Sequence, residues 1–265
     1  MRVAAIQMTS TDDVAANLAA ARKYVAEAAA LGAALVGLPE NFAFLRREGE
    51  PVPCAQGLDG EIVGTLRELA ARHRVWLLGG TFPEAAGERI HNTSIAVDPE
   101  GRVAAIYRKI HLFDVDLSAQ GGLVYRESER VAPGSELALA ETPFGGIGLS
   151  VCYDVRFPEL YRALAARGAR FLAVPAAFAR ETGRDHWEVL LRARAIENQA
   201  FVVAPAQVGD HGGGRASYGR SMIVDPWGLV LARAPDVPGA IVAECRLEEQ
   251  DRIRAALPAL RHRRL

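Results

Sequence analysis

The sequence predicts an α/β fold in which two sheets pack together with helices outside. Three observations carry this. Short apolar runs alternate with helical segments along the whole chain. The runs are largely apolar on both faces, as in sheets covered on both sides. Hairpin signals are mixed in with the crossovers; a single doubly wound sheet would fit the early segments but not the hairpins.

Val3 to Met8 reads as a buried strand. Asp12 or Asp13 is placed to cap an Ala-rich helix running to about Leu31, with Gly32 just beyond. Ala34 to Leu38 is a second strand, ending at Pro39-Glu40. Asp59 can start a helix through His73, and Val75 to Thr81 is a strand. His91 to Val97 and Val103 to Tyr107 flank Asp98-Pro99-Glu100-Gly101, a strong hairpin turn. Residues 109 to 135 show little periodicity and read as a long loop, a length that is often functional. The run Ile147, Leu149, Val151 is a short strand stopping at Cys152. A helix follows from about Pro158 to 167, ended by Gly168. Phe171 to Val174 is a strand, and 185 to 199 a helix with Asp185 as its cap. Phe201 to Ala206, Ser217 to Val224, Leu229 to Ala232 and Ala240 to Cys245 read as strands. Asp225-Pro226-Trp227-Gly228 turns a hairpin, and Leu247 to Leu257 forms a last helix. No linker or repeat divides residues 1–265.

The 265 residues are half hydrophobic, with 31 basic and 32 acidic side chains, enough for a large core. A net charge of −1 gives no general attraction to nucleic acid or to an acidic membrane. The Arg-His-Arg-Arg stretch at 261–264 reads as a solvated or interface tail. Three cysteines, Cys54, Cys152 and Cys245, form no CxxC pair, which argues against a disulfide framework or structural zinc and suits a reducing cytoplasm. No run reaches transmembrane length, and the first residues look like a strand rather than a signal peptide. Lys23 and Lys109 are the only lysines, so a lysine inside a motif stands out.

Cys152 sits at a strand-to-helix bend, where free N–H groups favour thiolate and meet a developing oxyanion; a small core cysteine is the alternative. Glu40 follows a buried strand, where poor solvation raises a carboxylate toward general-base range. Lys109 lies among apolar neighbours just past another strand. Together they form a chemical set. Glu40 accepts the thiol proton, and Lys109 with the Tyr153 N–H stabilises the charge that develops. A Cys–His pair using His186 is the rival arrangement, but it leaves Glu40 and Lys109 without a purpose. His111 is expected to be structural, and Cys54 and Cys245 inert.

Leu-Pro-Glu (38–40), Arg-Lys-Ile-His-Leu-Phe-Asp (108–114) and Cys-Tyr-Asp-Val-Arg-Phe-Pro-Glu (152–159) stand in this order. They resemble the signatures of the nitrilase, or carbon–nitrogen hydrolase, superfamily, and the likeness runs from Val3 to Arg264. The resemblance implies one hydrolase domain with an αββα four-layer sandwich. It also implies a Glu-Lys-Cys triad, no metal or organic cofactor, and homodimers or larger homo-oligomers. It implies a second glutamate between lysine and cysteine; of Glu127 and Glu129, the Glu-Ser pairing selects Glu127, which would hold Lys109.

Tyr153-Asp154 after the nucleophile resembles the amidases rather than nitrile-hydrolysing members, which carry Trp-Glu. Residues 182–197, 215–222 and 224–228 resemble the branch of deaminated glutathione amidase and ω-amidase, closer to the former; Arg220 departs from the His of close relatives. The resemblance thus implies hydrolysis of the side-chain amide of a small 2-oxo acid through a thioester, with ammonia leaving. Arg156 would bind the substrate carboxylate, unless it only bridges Asp154 or Glu159. Thr182 would share that pocket, Phe178 would wall it, and His186 would pack nearby. An N-carbamoyl amide hydrolase and a non-catalytic nitrilase-like interaction protein are the other readings, the last disfavoured because all three triad members are present.

Overall fold

The protein is described from a computed structural model covering residues 1–47 and 50–264. Its strands are β1 (Arg2–Gln7), β2 (Leu35–Gly37), β3 (Trp76–Leu78), β4 (Phe82–Ala86), β5 (Arg89–Val97), β6 (Val103–Arg108), β7 (Asp114–Asp116), β8 (Val124–Arg126) and β9 (Leu139–Ala140). Then come β10 (Gly146–Leu149), β11 (Ala169–Ala173), β12 (Phe201–Ala204), β13 (Val208–Asp210), β14 (Ala216–Tyr218), β15 (Met222–Val224), β16 (Val230–Arg233) and β17 (Gly239–Glu244). The helices are α1 (Val14–Ala30), α2 (Glu61–His73), α3 (Pro158–Ala166), α4 (Arg180–Asn198) and α5 (Leu247–Ala256).

One sheet runs β17-β1-β2-β3-β5-β4, with β6 along β5; the other runs β16-β15-β12-β11-β10-β9. The β1-β2-β3 and β10-β11-β12 neighbours are parallel, and β17, β15 and β9 flank them antiparallel. Side-chain alternation in β1 shows how the layers stack. Ala4 and Ile6 pack with Leu18, Val25, Leu66 and Leu69 of α1 and α2. Val3 and Ala5 turn the other way and join Ile147, Phe171 and Val203 of the second sheet. That sheet is covered in turn by Leu160 and Leu164 of α3 and by Trp187 and Leu191 of α4. The order is helix, sheet, sheet, helix, as the resemblance implies. Each fully buried Phe or Leu in this core contributes roughly 1.5–3 kcal/mol.

Local chemistry sets the element ends. Asp13 caps α1 by accepting the Ala16 N–H at 2.9 Å, worth about 1 kcal/mol. α2 begins at Glu61 with Gly60, not Asp59, as its cap. α4 begins at Arg180, so Asp185 lies inside it rather than capping it. Its first turn is Arg-Glu-Thr-Gly, with no apolar period to announce it. The expected strand 217–224 is two strands, because Gly219 and Arg220 both take positive φ, 80° and 61°. Within 109–135, expected as loop, β7 and β8 pair antiparallel. They are held by polar contacts, Asp114 Oδ1 accepting from Ser128 N–H and Asp116 Oδ1 from Ser118, which apolar patterning cannot reveal.

Candidate active site

Glu40, Lys109 and Cys152 converge at one edge where the two sheets meet. They are 3%, 2% and 8% exposed, so their mutual contacts act largely out of water.

Glu40 ends the segment leaving β2, and its backbone is fixed from two sides. Gly80 has φ +54°, and a Cβ there would stand 2.0 Å from the Pro39 carbonyl oxygen, so only glycine fits against Pro39. Next to it, Thr81 Oγ1 accepts the Asn41 N–H at 2.8 Å. From the other side Gln207 Nε2 donates to the Glu40 carbonyl at 3.0 Å. Lys109 follows β6, and its N–H donates to Asn92 O at 3.0 Å. Cys152 follows β10 in a left-handed conformation, φ 47°, and opens a 3-10 turn to Arg156. A non-glycine residue held there costs on the order of 1–3 kcal/mol, a kind of strain that clusters at functional sites.

Asp154 holds this turn. Fully buried, it accepts from Val151 N–H and Tyr107 OH at 2.7 Å each, and pairs with the His111 ring at 2.7 Å. His111 stacks on Phe157 with centroids 3.7 Å apart. The nucleophile's turn on one sheet is thus locked to the lysine's segment on the other.

Lys109 Nζ donates to Glu40 Oε1 at 3.1 Å and to Glu127 Oε1 and Oε2 at 3.1 and 2.9 Å. Glu127 Oε2 also accepts the Phe113 N–H at 2.7 Å. Glu129 is exposed. Glu40 Oε2 accepts the Ala177 N–H at 2.7 Å, and Cys152 lines the same cleft beside this carboxylate. Burial pushes Glu40 up, but the Lys109 charge, the Ala177 N–H, the thiol and the Lys109 hydrogen bond outweigh it. The carboxyl is held below its ordinary range, opposite to the sequence expectation. Burial and the neighbouring Glu40 charge raise the Cys152 thiol well above its usual value. Lys109 is raised despite burial, by Glu127, Glu40 and Cys152. The resting arrangement is therefore thiol, carboxylate and ammonium.

The trio lies in a cleft of about 850 Å³, open at its mouth. Tyr153, Phe178, Thr182 and Glu127 line it, as expected. Arg156 and His186 do not line it. The Arg156 guanidinium rests 5.2 Å from the Phe178 ring centroid and 5.9 Å from that of Tyr153, and its Nη1 is 3.3 Å from His186 Nδ1. It makes neither of the expected bridges to Asp154 or Glu159 among the ion pairs of the described residues. His186 is exposed, in the second turn of α4. Sequence reasoning missed Arg46 and Arg215, which line the cleft from loops, Arg126, which lines it from the end of β8, and Asn92 on its floor. The polar stretch His91-Asn92-Thr93-Ser94 inside an otherwise buried strand was a signal for Asn92; the three arginines carry none, being scattered in an Arg-rich chain. Among the described residues, no group of three or more His, Cys, Asp or Glu is placed to hold a metal ion, and no helix is long and apolar enough to cross a membrane.

The carbon–nitrogen hydrolase family model matches residues 2–255. A deaminated glutathione amidase of Synechocystis is 46% identical over 98% of this chain and 97% of its own. The human deaminated glutathione amidase is 45% identical over 99% of this chain and 82% of its own. Among solved structures, the Caenorhabditis elegans NitFhit protein superposes with a TM-score of 0.89 at 39% identity, over 99% of this chain and 65% of that one. Saccharomyces cerevisiae Nit3, of the nitrilase superfamily, gives 0.86 at 32% identity over 100% and 97%. Family model, relatives and four-layer architecture agree: this chain belongs to the carbon–nitrogen hydrolase family.

Proposed function

We propose that the chain is a cysteine-dependent amidase working through a thioester, with Glu40, Lys109 and Cys152 as its triad. The observation that carries this is a buried carboxylate, held by a buried ammonium, that lines one cleft with the buried Cys152. Glu40 takes the thiol proton as sulfur attacks the amide carbonyl. Tyr153 N–H, in the first turn after Cys152, has no intrahelical acceptor and serves the oxyanion together with Lys109; the Cys152 N–H is committed to Pro175 O at 2.9 Å. Protonated Glu40 returns its proton to the departing nitrogen, and the C–N bond breaks. Glu40 then deprotonates a water that cleaves the thioester. Glu127 keeps Lys109 charged and aimed.

The proposed substrate is deaminated glutathione, the one named for relatives 44–46% identical along nearly the whole chain. Its amide is secondary, so the leaving amine is cysteinylglycine; ammonia leaves only from a primary amide such as 2-oxoglutaramate. Both are anions, which suits a cleft mouth bearing Arg46, Arg126 and Arg215. Thr182 lines the cleft, whereas Arg156, packed on Tyr153 and Phe178 outside it, would have to turn its guanidinium inward to meet the carboxylate beside the ketone. The test is kcat/KM for deaminated glutathione and 2-oxoglutaramate side by side, scoring the released acid, with Cys152→Ala as blank. Preference for deaminated glutathione supports the assignment. Preference for 2-oxoglutaramate makes the protein an ω-amidase, and turnover in Cys152→Ala ends the thioester mechanism.

A reducing compartment such as the cytoplasm fits three free cysteines, one of them the nucleophile. Homo-oligomerisation is part of the proposal. Val189 and Ile196 of α4 and the hairpin residues Trp227 and Leu229 are exposed apolar side chains, and light scattering reads the assembly size.

A further inference from the structure

Asn92, in β5, lies between the two carboxylates of the cleft floor and is 6% exposed. Its Nδ2 donates to Glu40 Oε1 at 2.9 Å and to Glu127 Oε1 at 3.2 Å. Lys109 Nζ donates to the same two oxygens. Ammonium, carboxylate, amide and carboxylate thus close a ring. The Asn92 carbonyl completes the tie by accepting the Lys109 backbone N–H. Its Oδ1 has no hydrogen-bond partner among the described residues. Leaving a buried acceptor unpaired is costly. The flipped amide would be worse, aiming that oxygen at two carboxylates. The side chain is therefore held as a double donor.

A carboxylate offers about four lone-pair sites. On Glu40, Oε1 is occupied by Lys109 and Asn92. Among the described residues Oε2 accepts only the Ala177 N–H, which leaves it a site for the thiol. Given Glu40 as the general base, we propose that Asn92 is its positioning residue: with Lys109 it saturates Oε1, dedicates Oε2 to the Cys152 proton, and, being neutral, adds no second cation that would weaken the base. Asparagine suits this where lysine or aspartate would not, since one would hold the proton off Glu40 and the other would repel it.

The groups facing Glu40 are Lys109 from the end of β6, Cys152 from the 3-10 turn and Glu127 across the ammonium, with Arg46, Arg126 and Arg215 on the cleft wall. Substituting Asn92 leaves all of these in place. The experiment is the pH profile of kcat and kcat/KM, on the better of the two amides, for wild type, Asn92→Ala and the near-isosteric Asn92→Asp. Asn198→Ala is the control, a fully buried asparagine of α4 whose Oδ1 is likewise unpaired.

Losing an N–H that favours the carboxylate raises the proton affinity of Glu40. Asn92→Ala is expected to lower kcat about tenfold with KM within about twofold, and to move the acid limb of the profile to higher pH. Asn92→Asp keeps the side chain's size but sets a third carboxyl against Glu40 and Glu127, so it lowers Tm more than alanine does and moves that limb further the same way. Asn198→Ala lowers Tm and leaves the acid limb where it was. An unmoved acid limb in both Asn92 variants, or a fall in kcat that tracks Tm equally at every pH, overturns the assignment. Glu40→Gln run alongside separates the two readings. Full turnover there removes the base itself, whereas lost turnover there with unmoved limbs in the Asn92 variants overturns the role of Asn92 alone.

Discussion

The floor of the cleft and its rim are built on opposite principles. On the floor the charges are partnered within the protein: buried Lys109 lies between two carboxylates, and buried Glu40 accepts from Lys109, Asn92 and Ala177. At the rim, Arg46 and Arg215 are half-exposed on loops and Arg126 is exposed at the end of β8. The floor's geometry is fixed before any substrate arrives, which is what transition-state stabilisation requires. The rim offers charge to whatever anion enters and gains less from each contact, because water screens it. Chemistry and selectivity are thus separable, and substitutions in the two regions should have different kinetic signatures.

The sharpest test is Glu40→Gln. The amide keeps the size but offers one acceptor oxygen where the carboxylate offers two, and it cannot take the thiol proton. Turnover is expected to fall about 10²–10⁴-fold, measured at a temperature well below the Tm of either protein. A fall under tenfold would break the contrast, since the floor would then tolerate loss of its base. Next comes Gly80→Ala, outside the cleft. The new methyl cannot coexist with the Pro39 carbonyl, so the Glu40 segment shifts. Steady-state kinetics should show kcat down about 10²-fold, the usual penalty for misplacing a catalytic group by about 1 Å. Unchanged kcat would mean the segment is not rigid.

Arg215→Gln probes the rim. About 1 kcal/mol for a half-exposed charge contact becomes roughly a fivefold rise in KM, with kcat nearly constant and the effect shrinking at high salt. If kcat falls instead, the arginine acts in the chemistry and the separation fails. The smallest effect concerns stability. His211, buried between the Ser10 carbonyl and the Ser217 hydroxyl, fixes the loop that carries Arg215. Burial, with the nearby Arg215 and Arg180 charges, pushes its pKa down to about 4. The unfolded chain therefore binds the proton first as pH falls. Stability is fully present above about pH 6.5 and is lost toward pH 4, by at most about 3 kcal/mol. His211→Gln should lower the urea midpoint at pH 7.5 and flatten its fall between pH 7 and 5. An unflattened fall would assign the acid sensitivity elsewhere.

The same contrast marks how far the sequence could be read. Floor residues stand in ordered motifs at strand ends, so Glu40, Lys109, Cys152 and Glu127 were legible together, as was the two-sheet core from its doubly apolar strands. Arg46, Arg126 and Arg215 converge only through tertiary structure. Arg156 sits in a motif, yet its guanidinium lies against Tyr153 and Phe178 rather than among the cleft-lining residues, because side-chain direction is not encoded in spacing. The short strands β7, β8 and β13 were missed because backbone and polar contacts hold them. The start of α4 was missed because its first turn makes no apolar pattern.

Glu40 and Lys109 come from one sheet and Cys152 from the other. β1, which supplies side chains to both cores, pairs along its whole length with β17, from the far end of the chain. Contacts so distant in sequence slow the folding of a chain. Until the two sheets dock, a nascent polypeptide carries Cys152 away from Glu40 and Lys109, as an ordinary thiol. Its reactivity toward an alkylating reagent becomes a clock for sheet docking.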